Sequence, residues 1–118
     1  MSMGNCTDWD LADRRVCAVG KSSLSLQILP VLEDRDRMFG LIDQVIEAID
    51  SRGLNYDVGP TDTTVEGSMD ELLQLIKEAH GICHREGVEN VISIARFISV
   101  RNGDVVSIEE KVSPYREA

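Results

Sequence analysis

Gly53-Leu54-Asn55-Tyr56-Asp57-Val58-Gly59-Pro60-Thr61-Asp62-Thr63-Thr64-Val65-Glu66-Gly67-Ser68 is the stretch from which the fold can be read. Tyr56 and Val58 alternate with Asn55 and Asp57, the two-residue period of a strand with one covered face. Gly59-Pro60 turns the chain into a second strand pattern from Thr61 to Glu66, so the pair reads as a hairpin. A helix start follows at once. In Ser68-Met69-Asp70-Glu71 the Ser hydroxyl and the Glu carboxylate can each satisfy a free backbone donor, and Leu72, Leu73, Ile76, Ala79 and Cys83 carry an apolar stripe on to Gly87.

Upstream, Arg35 to Arg52 places Met38, Ile42, Val45 and Ile49 at helical spacing, with Phe39, Leu41 and Ile46 widening the stripe. Gly53 falls where a left-handed cap would close that helix, and either Asp34 or Asp36 can cap its start. Before it, Leu24, Leu26 and Ile28 alternate with Ser25 and Gln27 up to Pro30, a half-buried strand. Residues 1 to 22 show no sustained periodicity and read as an N-terminal arm anchored by Trp9, leaving residues 23–118 as the domain. Downstream, Asn90 to Arg101 reads as a long strand, with Val91, Ser93, Ala95 and Phe97 on one face and Ile92, Ile94, Arg96, Ile98 and Val100 on the other. Ser107-Ile108-Glu109-Glu110 repeats the capping pattern and opens a short helix that Pro114 is expected to terminate.

The order β-α-β-β-α-β with a terminal helix implies an α+β, ferredoxin-like βαββαβ sandwich: a four-stranded antiparallel sheet with two helices on one face and a short C-terminal helix. The last strand is apolar on both faces, yet the two helices cover only one. Ile92, Ile94 and Ile98 would then form an exposed apolar patch, which implies burial in a homodimer or homotetramer. Arg96, set among these isoleucines, reads as the partner of an acidic group across that interface.

At 118 residues with 42% apolar and 28% charged content, the chain is expected to form one globular domain. No apolar run approaches the roughly 20 residues that span a bilayer, so no membrane role is expected. The net charge of -9 disfavours nucleic acid and suits a cationic small molecule. Cys6, Cys17 and Cys83 cannot all pair within one chain, and no C-x-x-C occurs. Reduced thiols in a cytoplasmic setting are therefore expected, and the first residues lack the basic start and apolar stretch of a secretory signal.

Catalytic patterns are thin. His80 and His84 share a helix face, but two ligands do not make a metal site, and a helix C-terminus suits a cationic side chain in any case. No nucleophile elbow or phosphate-binding glycine loop is present, so neither an enzyme nor a cofactor is expected. Ser25, Gln27, Thr61, Asp62, Thr63, Thr64 and Glu66 form a more suggestive set, because strands expected to be neighbours hold them. Hydroxyls, an amide and carboxylates on rigid strands can orient a small ligand in an otherwise apolar pocket. Thr63 and Thr64 are also good strand formers in their own right.

Gly59-Pro60-x-x-Thr63-Thr64-Val65-Glu66-Gly67, preceded by Gly53-Leu54-x-Tyr56 and followed by a helix, resembles the thiamine-binding protein family (UPF0045, YkoF-like). The resemblance runs from about residue 23 to 113 and takes in Ile28-Leu29-Pro30, the strand holding Arg96, and Glu109-Glu110-Lys111-Val112. It implies a ferredoxin-like fold, homo-oligomers assembled through the sheets, and binding of thiamine or its hydroxymethylpyrimidine part without chemistry on it. Thr63, Glu66, Ser25 and Gln27 match positions facing or bordering the family's ligand groove, and Phe39 matches an aromatic or apolar position on the first helix. The chain has one copy of the unit where the YkoF type has two. The implied ligand fits the residues: Asp62 or Glu66 could neutralise a thiazolium cation, Thr and Gln groups could bond the aminopyrimidine edge, and Phe39 or Met38 could cover the ring. The alternative is a structural or regulatory oligomer whose open sheet face serves only assembly.

Overall fold

The computed structural model describes residues 20–116. The expected N-terminal arm, with Cys6, Trp9 and Cys17, lies almost wholly outside them. Seven elements follow in order: β1 (Ser22–Pro30), α1 (Arg35–Ser51), β2 (Asn55–Val58), β3 (Thr63–Gly67), α2 (Met69–Arg85), β4 (Val91–Ile98) and α3 (Ile108–Arg116). The strands form one sheet in the order β2-β3-β1-β4, with antiparallel pairing throughout. This is the ferredoxin-like arrangement that the sequence pattern implies.

β1 sits at the centre, where Leu24 lies opposite Val65 of β3 and Phe97 of β4. Strand alternation sends Leu24, Leu26 and Ile28 to one face, where they are buried with Val65. Two helical stripes cover that face: Leu41, Val45 and Ile49 of α1, and Leu72, Leu75, Ala79, Ile82 and Cys83 of α2. Their three- and four-residue spacings put each set on one side of its helix. Burying a leucine such as Leu24, which is 0% exposed, contributes about 1.5–3 kcal/mol.

Caps fix the element ends. Asp34 caps α1, its side chain accepting from Arg37 N at 3.1 Å, while Asp36 sits in the first turn near the positive end of the helix dipole. Gly53, at φ +73°, takes the left-handed turn after the last residue of α1, and its N–H donates to Asp50 O at 3.0 Å. Ser68 and Glu71 form the reciprocal box at the start of α2, with bonds of 3.1 and 2.9 Å. Ser107 and Glu110 repeat it before α3.

Three boundaries differ from the sequence expectation. β3 begins at Thr63 rather than Thr61, because Gly59 N donates to Asp62 O at 2.8 Å and holds residues 59–62 in the turn. β4 runs only from Val91 to Ile98, since its partner begins at Ser22 and the last registered pair is Ser23 with Ile98. Pro114 does not end α3, which continues to Arg116. Its missing N–H forgoes one helical bond, to the carbonyl of the exposed Glu110, and the ion pair of Arg116 Nη1 with Asp57 Oδ1 at 2.6 Å anchors the final turn.

The second sheet face is not left fully open, because α3 lies across its β2–β3 half. Glu66, 4% exposed, accepts from Ile108 N at 2.6 Å through Oε2 and from Asn55 Nδ2 at 2.9 Å through Oε1. Asn55 Nδ2 also reaches the Glu109 carboxylate at 3.1 Å. Val105 and Ile108 are buried at this contact. On the β1–β4 half, Leu29, Ile92, Ile94 and Ile98 stay exposed.

Candidate functional site

A hollow of about 330 Å³ lies between α1, the far end of β1 and the turn that joins β2 to β3. Its walls are apolar: Leu26 and Ile28 of β1, Phe39, Ile42 and Ile46 of α1, and Val58 of β2. The helix stripe is wider than the core needs. Leu41, Val45 and Ile49 face the sheet centre, which leaves Ile42 and Ile46 half-buried and Phe39 53% exposed along the rim. Thr61 and Thr63 bring hydroxyls to one end, and Gln27 and Asp62 border the hollow from strand and turn positions whose side chains alternate to the other sheet face. The volume is at the lower end of the range for small-molecule sites, and the mix of an apolar wall with a few placed polar groups is typical of them.

Local structure sets the polar end. A side chain at Gly59 would put its Cβ 3.1 Å from Asp62 O, so the missing side chain lets the turn close tightly. The turn presents Asp62 beside β1, where Ser25 Oγ donates to Asp62 Oδ2 at 2.5 Å. A hydroxyl on the central strand thus holds this carboxylate in place.

Of the seven ligand-binding candidates, Gln27, Phe39, Asp62 and Thr63 line the hollow. Ser25 lies on the sheet face away from α1, and its bond to Asp62 Oδ2 holds that carboxylate towards the same face. Thr64 falls on the opposite face of β3, across from Asp57 and Ser25, because alternation sends consecutive residues to opposite sides. Glu66 shares that face and is held under α3. Asp62 and Glu66, interchangeable on the sequence, therefore occupy separate places. The walls formed by Ile42, Ile46 and Val58 were visible in the sequence only as apolar periodicity, which does not separate pocket from core.

Ile92, Ile94, Arg96 and Ile98 project from β4 on the face away from α1 and α2. The three isoleucines are 53%, 56% and 46% exposed. Arg96 lies opposite Ser25 in register and makes no ion pair among the described residues.

The two histidines are engaged singly. His80 Nε2 lies 2.8 Å from Ser93 Oγ, and His84 Nδ1 donates to Val88 O at 2.9 Å. Among the described residues no group of three or more His, Cys, Asp or Glu side chains could hold a metal ion. Two groups are shifted in their titration. The Tyr56 hydroxyl donates to Asp50 Oδ1 at 3.0 Å, and that bond, with smaller contributions from desolvation and the nearby charge, raises the phenol above its usual range. Burial pushes the Cys83 thiol up. Neither residue lines the hollow.

A sequence model of the family described as thiamine-binding protein matches residues 24–116. The chain belongs to that family. A UPF0045 protein of Clostridium perfringens is 45% identical over 94 residues, covering 80% of this chain and 96% of that one. A structure from Thermotoga maritima, of a candidate thiamine biosynthesis or salvage protein, superposes with a TM-score of 0.67 at 33% identity, covering 81% of this chain and 99% of that one. A domain of unknown function from Bacillus cereus gives a TM-score of 0.72 at 32% identity, with 83% and 92% covered. The family model spans β1 to α3 of this thiamine-binding family member. Among the described residues no helix is long and apolar enough to cross a membrane.

Proposed function

We propose that the protein binds thiamine or its hydroxymethylpyrimidine part in the hollow beside α1, without chemistry on the ligand, in thiamine transport, salvage or buffering. The observation that carries this reading is a hollow of about 330 Å³ with apolar walls, bordered at one end by the hydroxyl-bearing turn Thr61-Asp62-Thr63. A flat heterocycle needs apolar walls on its faces, and its edge needs a few oriented donors and acceptors. Phe39, Ile42 and Ile46 supply the first, and Thr61 and Thr63 the second. Family membership and the thiamine biosynthesis or salvage description of the Thermotoga maritima protein support the same ligand class.

Self-association through β4 is the second part of the proposal. Ile92, Ile94 and Ile98 with Leu29 present an apolar strip on the half of the sheet that α3 leaves uncovered. In a homodimer or homotetramer that strip would be buried, with Arg96 facing an acid of the partner copy. Thr64 and Ser25 lie on the same face.

Titration calorimetry with thiamine and with hydroxymethylpyrimidine tests the ligand. Heat of binding is expected for at least one, and weakened in Phe39→Ala, which strips an exposed wall of the hollow. No heat and no thermal shift at millimolar ligand would end the reading. Light scattering on Ile94→Lys tests assembly. A fall in mass with ligand binding retained is expected, while an unchanged mass would remove this face from the assembly.

A further inference from the structure

Resting on the self-association proposed above, we infer that the acid meeting Arg96 is Asp62 of a second copy, so that a contact between two copies closes a reciprocal pair of ion bridges beside Ser25. The sheet face that α1 and α2 leave free carries charge of both signs. Arg96 of β4 lies directly opposite Ser25 of β1, and Ser25 Oγ holds Asp62 Oδ2 at 2.5 Å. Asp62 reaches Ser25 from the β3 side, so a cation and a carboxylate flank this hydroxyl.

Asp57 and Glu66 also reach this face, but both are engaged. Asp57 pairs with Arg116 Nη1 at 2.6 Å, and Glu66 is buried under α3, where it accepts from Ile108 N and Asn55 Nδ2. The Asp62 carboxylate meets a neutral hydroxyl, and its charge has no cation beside it among the described residues. It also stands clear of α3, whose bonds to the sheet go to Asn55, Asp57 and Glu66, whereas Asp62 sits in the turn before β3 begins. Arg96 is exposed and likewise without an ion pair among the described residues. Within one copy the two do not meet, because β3 and β4 flank β1 and stand two strand spacings apart, roughly 10 Å.

A second copy brings them together. In a two-fold contact residue i meets j and j meets i, so a surface holding an unpaired acid and an unpaired base beside an apolar strip is complementary to itself. Leu29, Ile92, Ile94 and Ile98 supply the area removed from water. The charges fix the register, since burying either one without a partner is costly. Ser25 is a positioning residue: it holds the carboxylate in place before contact, which leaves less side-chain freedom to lose on pairing.

Sedimentation velocity over a concentration series is run on the whole protein as wild type, Arg96→Asp, Asp62→Arg, the double exchange, and an equimolar mixture of the two single variants, with circular dichroism to check folding. Each single variant sets like charges against each other in both bridges, and is expected to self-associate at least about tenfold more weakly than wild type. Mixed together, the single variants are expected to form a one-to-one complex of near wild-type strength, because every exchanged side chain then meets its opposite on the other copy. Bridges formed within one copy give no such rescue. The double exchange is expected to self-associate like wild type. Unchanged association in either single variant, or no rescue on mixing, overturns the inference and leaves self-association through β4 standing. Should Asp62→Arg unfold, Asp62→Asn and Arg96→Gln take its place: combined, they are expected to weaken association no more than either alone, and additive losses overturn the inference. A wild type that stays monomeric at every concentration overturns self-association and this inference together.

Discussion

Replacing Glu66 by alanine removes the acceptor that joins α3 to the sheet. Glu66 is 4% exposed and receives two N–H groups, Ile108 N at 2.6 Å and Asn55 Nδ2 at 2.9 Å. Asn55 keeps the Glu109 carboxylate as a partner, so its loss is small. Ile108 N has no such substitute at the buried contact, and an orphaned buried donor costs about 1–3 kcal/mol. Loss of a carboxylate from the first turn of α3 adds roughly 0.3–1 kcal/mol. The sum is about 1.3–4 kcal/mol, which in a domain of this size lowers the melting temperature by roughly 5 °C or more. Glu66→Gln is expected to recover little of this. Both oxygens accept from N–H groups, so an amide in either orientation sets its NH2 against a donor. Thermal unfolding by circular dichroism measures the total, and amide hydrogen exchange across residues 105–116 is expected to accelerate while that of β1 does not. Thiamine binding is expected to survive below the lowered melting point, because Glu66 does not line the hollow. A melting point within about 3 °C of wild type, together with lost thiamine binding, would refute the anchoring role and return Glu66 to the ligand site.

Other perturbations separate the remaining contributions. Leu24→Ala, at a site 0% exposed in the centre of the sheet, is expected to cost about 3–5 kcal/mol by urea denaturation with an unchanged slope. Ser68→Ala breaks the capping box of α2 and is expected to cost about 1 kcal/mol in the same measurement. The Cys83 thiol, buried and raised in pKa, is expected to react with a thiol reagent at neutral pH only when the protein unfolds, which peptide mapping of the adduct checks. Tyr56 titrates later in the folded than in the unfolded chain, so its bond to Asp50 supports the fold below the phenol's ordinary pKa and is lost as pH rises through the raised value. Tyr56→Phe is accordingly expected to flatten the alkaline fall in stability above about pH 10, followed by melting temperature against pH.

Period and capping made most of the fold legible. Leu24, Leu26 and Ile28 alternate because one face of a strand is dry, and Ser68 with Glu71 marks a helix start by the reciprocal bonds it makes. The length of β4 was not legible, because a strand ends where its partner ends, and that depends on where β1 begins. Nor was the path of α3, which turns on one long-range bond from Ile108 N to Glu66. The candidate site divides in the same way. Gln27, Phe39, Asp62 and Thr63 could be named from pattern and resemblance, but the separation of Asp62 from Glu66 could not. Four residues apart on a hairpin, they differ because one sits in a turn and the other lies opposite Asn55 beneath a helix.

Lys21 and the segment after β4 are stitched together: Val105 N donates to Lys21 O at 3.1 Å, and Lys21 N donates to Asp104 Oδ1 at 2.7 Å. The way into the domain and the way towards its last helix therefore share one corner. β1 then carries the chain across the sheet, and at about 3.3 Å per residue the stretch from Ser22 to Leu29 places the hollow roughly 20 Å from that corner. A fluorophore, affinity handle or tether attached through the upstream chain joins the fold at the end remote from Asp62, which makes that corner the sensible anchorage for immobilised or single-molecule binding measurements.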